Sequence, residues 1–142
     1  MMNERIHAHM TTEIVTLKPD SSLGEAREIM LKKHIHHLPV LEGKRLVGMI
    51  TSWDMFKLGK SAEDYQSMKA SDVMTTKVAT LDPDQHLGAV ADVLTRHLFH
   101  AVPIVNDKNE LLGIVTSTDI IRYGHTKEYP ENLEKFIPEN MV

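Results

Sequence analysis

The chain has 142 residues, of which 42% are hydrophobic and 25% charged, and its formal net charge at pH 7 is −4. This composition is ordinary for a soluble globular protein, and the mild negative charge argues against a general nucleic-acid surface. The chain has no cysteine, which excludes disulfides and thiolate metal ligands. The first residues lack a signal-peptide pattern and no stretch approaches a membrane span, so we expect a cytoplasmic protein without membrane contact.

An internal duplication organises the chain. Met10-Thr11-Thr12 returns as Met74-Thr75-Thr76, and the stretch Gly48–Asp54 returns as Gly113–Asp119. The offset changes from 64 to 65 residues in a polar turn, where an insertion costs little. The predicted organisation is a first repeat (8–58), a linker (59–71), a second repeat (72–123) and a tail (124–142). The tail contains Tyr129, Leu133, Phe136 and Ile137, so we expect it to pack on the body or on another subunit.

Each repeat reads as strand, helix, strand, strand, helix. The first strand is Ile14–Leu17, and apolar residues at helical spacing follow it. Two buried strands, 38–41 and 46–50, then form a hairpin, and a second helix begins near Ser52. Because one copy of about fifty residues would bury little core alone, we predict that the two copies share a core. The expected fold is α+β, with two βαββα repeats packed about a pseudo-two-fold axis.

The repeated Thr-Ser-x-Asp stretch lies where a buried strand meets a helix. One interpretation is a capping box, in which Thr51 or Thr116 accepts a backbone N–H and Asp54 or Asp119 reaches back. The residues alone favour this interpretation, although Asp is shorter than the usual Glu or Gln. The other interpretation is ligand binding, because a carboxylate has several acceptor sites and can accept hydrogen bonds from both hydroxyls of a ribose. The two interpretations are compatible.

Histidine is frequent around the predicted hairpins. His34, His36 and His37 precede one of them, and His97 and His100 precede the other. Imidazole is a common metal ligand, but no carboxylate or cysteine completes a tetrahedral set at short spacing. The simpler alternative is a solvated histidine at a helix end, where the helix dipole favours its positive charge.

The order of these motifs resembles tandem cystathionine β-synthase (CBS) domains, a pair also called a Bateman module. The resemblance rests on the two Met-Thr-Thr segments, on 35–40 and 99–104, and on both Gly-x-x-Thr-x-x-Asp stretches, and it covers roughly residues 8 to 123. It implies regulation without catalysis: the clefts between the repeats bind adenosine-containing ligands such as AMP, ADP, ATP or S-adenosylmethionine. It also implies disc-shaped dimers of pairs.

The resemblance assigns roles to residues of both clefts. Asp54 and Asp119 meet ribose, and the basic residues before the hairpin strands face phosphate. If His36 or His100 contacts phosphate, affinity should rise as the pH falls toward 6. Ala101 replaces the polar residue that His37 provides in the first repeat, so we expect unequal clefts. The implied binding residues are Thr11, Thr12, Ile14, His36, His37, Pro39, Thr51, Ser52, Asp54, Thr75, Thr76, Val78, His100, Pro103, Thr116, Ser117 and Asp119.

The expected function is therefore a regulatory adenine-nucleotide-binding module, a homodimer that needs no cofactor and acts on an unknown protein partner. No Gly-rich phosphate loop with a lysine and no nucleophile-and-base pattern is present, so no enzyme activity is expected. Two alternatives stay open: a structural dimerisation module with empty clefts, and a histidine-based metal sensor.

Overall fold

The computed structural model describes residues 2–97 and 99–130. Of the apolar tail residues, Tyr129 lies in this part of the chain and is 52% exposed. Leu133, Phe136 and Ile137 lie outside it, so their packing stays a prediction. A short 3-10 helix, Ile6–Ala8, precedes the first α-helix. The α-helices are α1 (Leu23–Lys33), α2 (Ser52–Leu58), α3 (Ala62–Gln66), α4 (Ala70–Val73), α5 (Leu87–His97) and α6 (Ser117–Glu128). None of these helices is long and apolar enough to cross a membrane.

Each repeat contains the predicted antiparallel hairpin. In the first repeat β1 (His37–Glu42) pairs with β2 (Arg45–Thr51), and in the second β3 (Ala101–Val105) pairs with β4 (Leu111–Thr116). The inner residues of these strands are buried together with the apolar faces of the neighbouring helices. Each repeat thus has its own apolar cluster, so the prediction of one core shared by both copies is wrong. The two βαββα units of the predicted α+β fold are present.

The first strand of each repeat is shorter than predicted. Leu17 forms a single parallel bridge to Val40: its N–H donates to the carbonyl of Pro39, and its own carbonyl accepts from Leu41 N–H, at 2.9 and 2.8 Å. Continuing this ladder toward Val15 would need an N–H on residue 39, which proline lacks. Leu81 forms the same single bridge, next to Pro103, in the second repeat. The prolines therefore limit each predicted strand to one bridging residue.

The entry segments cross between the repeats. Thr11, before the first repeat's strand, pairs with Ile114 of β4, and Thr75 pairs with Met49 of β2. Preceding methionines pack on the glycines of the same strands: a Cβ on Gly113 would lie 2.5 Å from Met10 Sδ, and one on Gly48 would lie 2.5 Å from Met74 Sδ. Glycine at these two positions lets a segment of one repeat lie against a strand of the other. This exchange ties the halves into one unit.

The segment 2–11, which we call the strap, completes the second repeat rather than the first. Ile6 is fully buried in the apolar cluster of the second repeat, with Leu87 and Val115 among its members. The strap carbonyls of Glu4 and Met2 accept the N–H groups of Leu87 and Gly88 in the first turn of α5, each at 3.0 Å. These donors have no partner within a helix, so the strap caps α5.

The predicted linker is packed against the first repeat. Ser61 caps α3 by accepting the Asp64 N–H at 3.1 Å. Tyr65 is buried and donates its hydroxyl to the carbonyl of Met55 at 2.6 Å. Further along, 68–75 runs along the first repeat as the strap runs along the second: Leu23 N–H donates to the carbonyl of Met68 at 2.8 Å.

Candidate functional site

Both strand–helix junctions form the predicted capping box. Asp54 N–H donates to Thr51 Oγ1 at 3.1 Å, and Thr51 N–H donates to Asp54 Oδ2 at 2.9 Å. The junction of the second repeat repeats the two bonds between Thr116 and Asp119, at 3.2 and 2.8 Å. The shorter aspartate therefore reaches the N-cap backbone, and the capping interpretation is confirmed.

The capping bonds leave part of each carboxylate available. Asp54 Oδ1 lies 3.7 Å from Lys57 Nζ, and Asp119 Oδ1 lies 3.4 Å from an Arg122 guanidinium nitrogen. The aspartate side chains are 15% and 18% exposed, while both cations are more than half exposed. Because an ionised carboxylate has about four acceptor positions, Oδ1 keeps room for hydroxyl donors. Capping and ligand binding are thus geometrically compatible at both junctions.

Histidines lie beside both junctions. Ser52 N–H donates to the carbonyl of His36 at 3.0 Å, and Ser117 N–H donates to that of His100 at 2.9 Å. In the first repeat His36 Nδ1 also lies 3.3 Å from Ser52 Oγ. The His37 and His100 rings, from different repeats, have centroids 6.2 Å apart. The histidines therefore connect the two junctions across the pseudo-two-fold axis.

The crossing entry segments bring threonines from one repeat to the junction strand of the other. Thr75 pairs with Met49, two residues before Thr51, and Thr11 pairs with Ile114, two residues before Thr116. Each Thr-x-x-Asp box is thus flanked by residues of both repeats, as the resemblance implies for a shared cleft. Nearby Thr12 and Thr76 are exposed, and Ile14 and Val78 are half-buried.

Other predicted binding residues are not brought to a common cavity. Pro39 and Pro103 are fully buried within the hairpins, so their part in binding stays a prediction. The described residues form a depression of about 310 Å³ that Asp119 lines together with His9, Tyr123 and Lys127. Another depression, of about 400 Å³ beside Leu17–Asp20 and Leu41–Gly43, contains none of the predicted residues.

A polar cluster beside Asp119 was not predicted. The Glu4 carboxylate accepts the Tyr123 hydroxyl at 3.0 Å, lies 2.7 Å from Lys127 Nζ and contacts His9 Nε2. Hydrogen bonds from Lys127, His9 and Tyr123 lower the pKa of Glu4 to about 2, so it is ionised at neutral pH. The sequence carries only an indirect signal, because the equivalent positions of the first repeat are apolar, but nothing local shows that these polar residues meet.

Burial gives His37 a distinct protonation behaviour. Partial burial of its ring, with His100 and His36 nearby, lowers its pKa from 6.5 to about 4, and Asp54 opposes this only weakly. At neutral pH His37 is therefore uncharged, and it offers a ligand a hydrogen bond rather than a positive charge.

We expect the unfolding free energy to depend on pH through His37. Between pH 6.5 and about 4, His37 binds a proton in the unfolded chain but not in the folded one. The stabilisation of the folded state by the neutral ring is therefore complete above pH 6.5 and is lost as the pH falls through that window. For one proton, the unfolding free energy changes by at most about 1.4 kcal/mol per pH unit, and partial exposure of the ring reduces this slope. Urea denaturation of wild type and His37→Gln at several pH values measures it. A difference between the two proteins that is equal at pH 4.5 and 7.5 would contradict the assignment.

The histidines and carboxylates do not form a metal site in the described part of the chain. Within residues 2–97 and 99–130, no group of three or more His, Asp or Glu side chains is placed to hold a metal ion. The histidines near the junctions instead contact serine or one another.

A duplicated α+β fold with one Thr-x-x-Asp box at each of two related strand–helix junctions defines a paired-repeat module. The CBS domain family model matches residues 4–61 and 70–126. The chain belongs to the CBS domain family, and it contains two copies of the domain.

Similar curated proteins are longer. The chain is 38% identical over 114 residues to a homoserine O-acetyltransferase of Methanococcoides burtonii, covering 80% of this chain and 22% of the enzyme. It is 37% identical over 109 residues to L-aspartate semialdehyde sulfurtransferase of Methanocaldococcus jannaschii, covering 76% and 21%. The chain thus spans about a fifth of the length of these relatives and is similar to one region of each.

Solved CBS structures have the same fold. The CBS domain pair of protein MJ0100, in complex with 5′-methylthioadenosine and S-adenosyl-L-methionine, is 32% identical with a TM-score of 0.75, covering 87% of this chain and 98% of that one. Protein MJ1225 of Methanocaldococcus jannaschii is 26% identical with a TM-score of 0.80, covering 86% of this chain and 48% of that one.

Proposed function

We propose that this CBS pair is a regulatory module that binds an adenosine-containing ligand, of the AMP, ADP or ATP class, in clefts shared by its repeats. The observation that carries the proposal is the pair of Thr-x-x-Asp boxes, each flanked by an entry segment from the other repeat. The similar MJ0100 pair, crystallised with two adenosine-containing ligands, supports the same ligand class. Ligand binding would change shape or partner affinity, which requires different affinities for two conformations.

The chemistry of each cleft follows from its residues. Asp54 and Asp119 would accept ribose hydroxyls through the oxygen that the capping box leaves open. Thr51 and Thr116 would meet sugar or phosphate, while His36 and His100 would face phosphate. The clefts are unequal, because His37 pairs with Thr51 where Ala101 pairs with Thr116.

A ligand panel tests this function. Purified protein is heated with AMP, ADP, ATP, S-adenosylmethionine, 5′-methylthioadenosine, NAD, GMP and divalent metal ions. A ligand at a hundred times its Kd stabilises the folded state by about 2.7 kcal/mol, which is a rise in Tm of roughly 5–10 °C at this chain length. A shift with an adenosine ligand but not with GMP supports the proposal. A shift with metal ions alone indicates the metal sensor, and no shift with any compound indicates the structural module.

We also propose a homodimer formed through α2 and α6. Trp53 and Phe56 stack on the outside of α2, with ring centroids 5.7 Å apart, and are 61% and 75% exposed. Ile121, the equivalent of Phe56 on α6, is 70% exposed. Trp53 is therefore outside the core. Apolar residues at related positions of both helices suit a two-fold interface, in which one surface meets itself.

We expect Phe56→Glu to weaken this dimer by thirtyfold or more, because a buried aromatic at an interface contributes about 2 kcal/mol or more. Analytical ultracentrifugation across a concentration series measures the dissociation constant. Leu31→Glu is the control, since Leu31 is an apolar residue of α1 that is 60% exposed. A monomeric wild type, or equal effects of both substitutions, would contradict the proposed interface. The cytoplasmic location and the identity of the regulated protein stay predictions.

A further inference from the structure

The strap is fastened differently from its counterpart in the first repeat. Glu4, His9 and Tyr123 form the polar cluster of the second repeat. The equivalent residues of the first repeat are Met68, Val73 and Leu58, which are apolar and pack against its core.

Most backbone contacts of the two segments are the same, although among the described residues only the strap makes a bond like that from Gly88 N–H to the Met2 carbonyl. Ile6 N–H donates to Gln85, as Ala70 N–H donates to Ser21, at 2.9 and 2.8 Å. Two equivalent segments with the same backbone path thus differ mainly in what holds their side chains. At these positions the counterpart's side chains pack against the core, whereas the strap combines the buried Ile6 with charge-assisted hydrogen bonds on a half-exposed carboxylate.

The polar cluster connects the strap to the helix that begins at the second junction. Tyr123 and Lys127 lie one and two turns after Asp119 on α6, and all three line the depression of about 310 Å³ that His9 closes from the strap side. Opening the strap would remove His9 from this depression, expose the buried Ile6 and uncap α5.

We propose that the strap is a releasable element, fastened by the Glu4 carboxylate, that regulates ligand affinity at the Asp119 junction. The strap holds α5 and α6 in place when Glu4 is bound to Tyr123 and Lys127, and it opens locally when those bonds are lost. The bonds are partly solvent-exposed, so salt screens them, whereas the apolar counterpart in the first repeat is insensitive to salt. The regulatory half of this inference rests on the proposed function, and the local opening does not.

Hydrogen exchange of the free protein tests the opening. Glu4→Gln removes the charge with little change of shape, and exposed Glu13→Gln just beyond the strap is the matched control. We expect the amides of Ile6, His7, Leu87 and Gly88 to exchange about tenfold faster in Glu4→Gln, and also faster in wild type at 1 M salt. The segment 68–75 should not change. Unchanged exchange in the strap, or equal acceleration of both segments, would overturn the proposal.

Calorimetric titration with AMP tests the regulation. We expect Glu4→Gln to weaken the Asp119-dependent binding about fivefold or more relative to Glu13→Gln, and AMP to slow exchange of the strap in wild type, because coupling between sites is reciprocal. Equal affinities of the two variants would overturn the regulatory role even if the strap opens. If neither AMP nor any other adenosine ligand of the panel binds to wild type, the proposed function and the regulation both fail, while the exchange experiment still decides the opening.

Discussion

Replacing Ile6 by alanine is expected to lower the free energy of unfolding by about 2–5 kcal/mol, the range found for large-to-small substitutions in a packed core. Ile6 is completely buried although it lies near the beginning of the chain, in a segment outside the predicted repeats. It fills the apolar cluster of the second repeat beside Leu87 and Val90. Removing its side chain leaves a cavity that surrounding helices and strands cannot fill completely.

Chemical denaturation of wild type and Ile6→Ala measures this loss. Leu31→Ala is a suitable control, because Leu31 is 60% exposed and its substitution should change stability by no more than about 0.5 kcal/mol. A loss for Ile6→Ala as small as that of the control would show that the strap does not belong to the core of the second repeat.

The second large effect is expected for ligand binding to Asp119→Asn. The asparagine oxygen can still accept the Thr116 N–H, so the capping box is largely retained, but the charge and part of the acceptor capacity are lost. Because one hydrogen bond to a charged acceptor contributes about 1.5–3 kcal/mol, we expect adenosine-ligand affinity at this junction to fall about ten- to a hundredfold.

Isothermal titration with the ligand that gives the largest thermal shift measures this change. Asp72→Asn is a control for the capping bond, since Asp72 Oδ2 accepts the Lys69 N–H at 3.1 Å at the start of α4, outside the two Thr-x-x-Asp boxes. Comparison with Asp54→Asn shows which cleft binds more tightly. Equal affinities of wild type, Asp72→Asn and Asp119→Asn would show that the Asp119 box serves only as a helix cap.

These two predictions depend on different kinds of information. The Asp119 box is a local pattern: the four residues from Thr116 to Asp119 make its bonds among themselves, so their order alone predicts the geometry. The role of Ile6 depends on contacts with residues about eighty positions away. No periodicity near the beginning of the chain indicates them, although the 64-residue offset, extended backward, pairs Ile6 with the buried Ala70.

The partial strands show the same division. Apolar residues before Pro19 predicted a strand at Ile14–Leu17, and the local sequence is compatible with one. The partner strand prevents a longer ladder, because Pro39 has no N–H to extend the pairing beyond Leu17. Strand pairing needs compatible hydrogen-bonding groups on both segments, and the pattern of one segment describes only that segment.

The sequence by itself determined the duplication, the hairpins and the capped helix starts, because periodicity, turn residues and caps act between residues that are close along the chain. Only the tertiary structure decided which repeat each entry segment completes and how the strap is held. The bond from Tyr123 to Glu4 joins residues 119 positions apart, and such contacts arise from packing rather than from local preference. The Thr-x-x-Asp boxes were thus predictable, and the polar cluster beside the second of them became visible only in three dimensions.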